Sequence, residues 1–143
     1  MTNWEEELNA YRSRVLPDLD WLFKTYGGNG SIIIKSYQSM FDYILKDKVD
    51  VMIITLDEFL LNKDGATIFS QKVGAEECLE IYPHLTDKQL EAFIKADRHS
   101  MAVSRHMFVA ISERDPVLGK YMKVIENTEE RVEIHFVYPH VAP

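Results

Sequence analysis

Cysteine is nearly missing from the chain. Cys78 is the only one in 143 residues, so no intrachain disulfide can form. A lone thiol fits a reducing, cytoplasmic setting. Basic residues are also scarce: 16 Lys and Arg against 23 Asp and Glu leave a net charge of −7. That balance argues against direct nucleic-acid binding, which runs on clustered Lys and Arg. No apolar run approaches the roughly 18–20 residues a bilayer span needs. Met1 to Glu7 has neither a basic nor an apolar stretch of the kind that opens a secretory leader. Neither membrane nor export is expected. Repeats, linkers and low-complexity stretches are absent too, and residues 1–143 read as one globular domain.

What is present begins with a helix over residues 3–26. Trp4, Leu8, Tyr11, Val15, Leu19, Leu22 and Tyr26 recur at spacings of three or four, one face of a helix. Asn3 and Glu6 have capping-box spacing. The stripe keeps its phase across Pro17, which predicts a kinked helix rather than two helices. Gly27 to Gly30 reads as a turn. Ile32-Ile33-Ile34 reads as a short β-branched strand, followed by a helix over Tyr37–Leu45 with Ser36 as its N-cap. Val49–Leu56 reads as a strand covered on both faces. Together these predict a compact β-α-β unit; the rival reading extends the helix back through Ile32.

Asn62-Lys63-Asp64-Gly65 is a hairpin-type turn, and residues 66–73 read as the next strand. Glu76–Tyr82 predicts a short helix stopped by Pro83. Thr86 with Gln89 opens another, whose inner face is Leu90, Phe93 and Ile94. Alternation suggests a strand over about 105–112, interrupted by Arg105 and Phe108, with a longer helix taking part of it as the alternative. Lys120–Glu126 and Arg131–Tyr138 read as two more strands, the second with Val132, Ile134, Phe136 and Tyr138 inward. The expected class is α+β, with mixed α/β as the variant. N-terminal helices would pack on a mixed sheet ending in a three-stranded antiparallel meander over 105–138.

No sharp catalytic signature occurs. The glycines near residue 28 are followed by no Gly-Lys-Ser/Thr and form no Gly-x-Gly-x-x-Gly, so no phosphate loop or cofactor motif is found. Around Gly65 an EF-hand alignment puts Leu60 at the first position and Gln71 at the twelfth, where calcium needs acids. His84, His99, His106, His135 and His140 show no ligand spacing. His99 and His106 would lie two helical turns apart, roughly 10.5 Å. No metal is expected. Cys78 lies among Glu76, Glu77 and Glu80, which oppose a thiolate. The remaining candidates for acid–base work are Asp57, just past a buried strand, and His99 and His135. Asp97 and His99 could join the Arg131, Glu133, His135 face as a proton-transfer cluster.

Most of the seven Phe, seven Tyr and two Trp fall on expected inner faces, where core packing explains them; Trp21 and Phe23 do not, and mark either a contact surface or a helix clamped between two layers. Trp21 and Phe23 flank the Leu19–Leu22 stripe roughly 100° to either side, and widen the apolar arc beyond one packing interface. Aromatic residues are favoured anchors at protein contacts. The sequence therefore suggests a small acidic interaction protein rather than an enzyme: an inhibitor, immunity factor, adaptor or accessory factor. Its partner would be another protein, basic by charge complementarity, or a second copy of itself. The alternative is a small enzyme or ligand-binding domain using Asp57 or the His99/His135 region.

Overall fold

The computed structural model describes the backbone of residues 3–26 and 28–139, and the side chains of residues 4–19 and 33–139. The elements in chain order are α1 (Asn3–Tyr26), α2 (Gly28–Leu45), β1 (Val51–Thr55), β2 (Glu58–Lys63), β3 (Ala66–Lys72), α3 (Ala75–Ile81), α4 (Asp87–Arg114), a 3₁₀ turn (Leu118–Tyr121), β4 (Met122–Asn127) and β5 (Arg131–Phe136). The class is α+β, as expected. The five strands form one sheet in the order β3-β2-β1-β5-β4, and every pairing is antiparallel.

Helix α1 continues through Pro17. Its stripe points inward where side chains are described, with Leu8 and Leu19 buried and Trp4, Tyr11 and Val15 packed beside the core. The first correction concerns Ile32–Ile34, which is helical. Gly28–Gly30 is likewise the first turn of α2 rather than a loop. Ile33 and Ile34 continue the spacing of Tyr37, Met40, Phe41 and Ile44, and α2 packs against α1 along that face. Tertiary packing of a continuous stripe overrides the modest β preference of isoleucine. Ser36 is accordingly a buried residue inside the helix, not its cap. With no strand before β1, the β-α-β unit and the mixed sheet both fall.

The second correction is at residues 105–112, which belong to α4. Phe108, Val109 and Ile111 are buried and Met101 packs beside them, a helical rather than a two-residue period. The two interruptions of the alternation, Arg105 and Phe108, were helical signal. The expected three-stranded meander reduces to the hairpin β4–β5, with β1 on the other side of β5. Strand β2, unassigned in the sequence, pairs with both β1 and β3. Its consecutive Phe59, Leu60 and Leu61 obscured the alternation. The β2–β3 turn is Asp64-Gly65, at φ 53° and 79°, as a two-residue hairpin loop requires.

Only one face of the sheet is covered by helices. Met52, Ile54, Leu61, Val132, Ile134 and Phe136 point into a core shared with Leu8, Met40, Phe41, Ile44 and Phe108. Val51 and Ile53 lie on the other face and are half-buried, so β1 is not doubly covered as expected.

Asp115 ties the helices together. It caps the C-terminus of α4 and is only 7% exposed. Its Oδ2 accepts from Tyr11 Oη at 2.7 Å and Tyr37 Oη at 2.8 Å. Its Oδ1 accepts from the backbone N–H groups of Val117 (2.9 Å) and Leu118 (2.8 Å). Four donors from α1, α2 and the 3₁₀ region thus converge on one carboxylate. Replacing Asp115 with Ala strands all four. We expect a loss of about 3 kcal/mol or more, against about 1–2 for Tyr37→Phe, by denaturant unfolding.

Burial, and then the bond to Asp115, push the Tyr11 and Tyr37 hydroxyls well above the ordinary tyrosine range. A raised folded pKa leaves its contribution intact below the unfolded value near 10 and removes it as pH climbs beyond. Stability should therefore fall from about pH 10 upward, and less steeply in Tyr37→Phe. Melting curves across that range check the sign.

Candidate interaction surface

Strand β3 is an edge strand that pairs only with β2, and all seven of its residues are exposed. Ile68 and Phe69 stand 47% open. From there the chain passes the buried Val73 into α3, which buries only Cys78. Leu79, Ile81 and Tyr82 remain outside, Ile81 at 69%. The chain then turns into α4, where Thr86 and Gln89 form the predicted capping box.

The length of α4 explains the exposure. Its 28 residues span roughly 42 Å, yet its buried residues lie between Phe108 and Ile111. The first half buries no residue, and α3 packs against this helix. Leu90 and Ile94 turn toward Gly74 and Ala75 around a depression of about 610 Å³, while Phe93 stacks on Tyr82 at 5.1 Å on the open side. The sequence read Leu90, Phe93 and Ile94 as one inner face; Phe93 is exposed because no layer lies beneath it. Of nine large apolar side chains exposed among the described residues, six fall between Ile68 and Phe93. Around them, residues 75–98 hold six carboxylates against three Lys and Arg.

The predicted acid–base residues do not converge. Asp57 sits in the β1–β2 turn, its Oδ1 2.7 Å from Arg98 Nε. Both side chains are more than half exposed, and such a pair is worth at most about 1 kcal/mol. Asp97 and His99 line cavities between α2 and α4, on the helix-covered side. His135 is on the uncovered face of β5, where Glu133 bridges it at 2.5 Å and Arg131 at 2.6 Å. The sheet stands between the two halves of the expected cluster. No group of three His, Cys, Asp or Glu side chains is placed to hold a metal among the described residues. No helix among them is long and apolar enough to cross a membrane. Trp21 and Phe23 lie outside the described side chains. The exposed row from Ile68 to Phe93 was missed because its residues sit in well-patterned elements; the available signal was Leu79, about 100° round α3 from Cys78.

No family model, curated protein or solved structure matches the chain.

Hydrogen bonding to His135, and then to Arg131, holds the Glu133 carboxyl below the usual glutamate range. A lowered folded pKa stabilises above the unfolded value near 4.3 and stops doing so as pH falls through the folded one. Glu133→Gln should lower the melting temperature at neutral pH and leave it closer to wild type at pH 3. An equal deficit at both would contradict this.

Proposed function

We propose that the protein acts by binding another protein through the surface formed by β3, α3 and the first half of α4. The reading rests on one observation: Ile68, Phe69, Leu79, Ile81, Tyr82 and Phe93 stay exposed along a short stretch of chain. Large apolar patches on small domains mark contact sites, and aromatic anchors dominate such contacts. The excess of carboxylates around the patch suits a partner whose apolar strip has a basic rim. An inhibitor, immunity factor, adaptor or accessory subunit of a cytoplasmic protein fits these properties, and self-association through the same surface is the second form. Catalysis by Asp57, His99 or His135 draws no support from their separation.

Affinity capture from the native host with wild type, Ile81→Asp and Ile125→Asp tests the reading. Ile125 is an apolar residue about half exposed on β4, away from this surface. A basic partner held by wild type and Ile125→Asp should be lost from Ile81→Asp, a weakening of about tenfold or more. All three proteins should melt alike. Capture unchanged by Ile81→Asp would refute the surface.

A further inference from the structure

A second concave feature lies between α2 and α4. Two adjoining cavities, about 280 and 310 Å³, share Ser39, Ser100, Ser104 and Phe108 as common lining and so form one trench. Small serines on facing helices leave the space that larger side chains would close. The trench is polarised along its length. One end carries Lys35 and His99. The other has an aromatic wall in which Tyr43, Phe59 and Phe108 sit with each pair of ring centroids 6.4 Å apart, and Asp97 at its rim. Lys35, His99, Ser100 and Ser104 make no side-chain hydrogen bond or ion pair among the described residues. Of the six exposed apolar side chains discussed above, the trench takes only Phe69.

We propose that this trench binds a small organic acid, a carboxylate joined to one aromatic ring or a short alkyl chain. The carboxylate lies between Lys35 and His99 with the serine hydroxyls as further donors, and the apolar body lies against Tyr43, Phe59 and Phe108. Asp97 repels an anion at the aromatic end, which sets the orientation. One lysine and one histidine, without an arginine fork, match a single negative charge better than a phosphate. Each of the two cavities is near the lower end of the range for small-molecule sites, which suits one ring and not a dinucleotide.

The test is a titration of the full chain with 4-phenylbutyrate, followed by backbone amide shifts. Saturable changes are expected at Ser39, Ser100 and Ser104. The corresponding alcohol, 4-phenylbutanol, should bind about tenfold more weakly, because it cannot make the charge-assisted contact. Lys35→Glu changes an exposed side chain and should produce a similar loss with an otherwise native spectrum. Ser104→Leu should fill the trench and abolish the shifts. The proposal is overturned if the changes fail to saturate, if they map to residues 75–93 instead of the trench, or if the alcohol binds as tightly as the acid.

Discussion

The carboxylate of Asp115 is the constraint on which the arrangement of the helices depends. A buried charge is tolerable only when its hydrogen-bonding capacity is filled. Filling it requires Tyr11 from α1, Tyr37 from α2 and the turn after α4 to be in place together. Each donor comes from a separate stretch of chain, so the carboxylate selects one packing of the three helices from many apolar ones. A second polar anchor joins the start of α1 to the segments before β1 and after β5. There Lys48 lies 4.5 Å over the Trp4 ring while pairing with Glu5 at 3.0 Å, and Tyr138 donates to the Val49 carbonyl.

Asp115 holds the C-terminal end of α4, which is where the buried residues of that helix lie. Its N-terminal half is a consequence of length rather than of burial, and α3 rides on it. The polar outer face of the sheet is finished locally instead. Glu133 pairs with its neighbours Arg131 and His135 on the same strand, and Arg131 also reaches Glu126 on β4. That face therefore has little reason to seek a partner. The β3–α3–α4 side has apolar side chains with no such local solution.

Helix α1 was legible from its buried stripe, the start of α4 from its capping box at Thr86 and Gln89, and the β2–β3 turn from Asp64-Gly65. So was the inward set of β5, because one face of that strand is wet and the other dry. Errors arose where two periods describe the same residues. Ile32–Ile34 is β-prone in isolation and becomes helical because α1 offers a continuous partner. Residues 105–112 alternate passably, yet bury Phe108, Val109 and Ile111 as a helix does. The separation of His99 from His135 was illegible because it depends on which face of the sheet each element occupies. Local spacing carries no such information. The exposed apolar row was hidden for the same reason: a helix pattern says which residues share a face, not whether anything covers it.

Hydroxyl-radical footprinting of the purified protein and of the protein in native extract bears most directly on the account. Tyr82, Phe93 and Phe69 should be modified readily in the purified protein and protected in the extract, while Ile125 and Val137 react equally in both. Equal reactivity of Tyr82 and Phe93 in the two settings would contradict a role for that surface in binding.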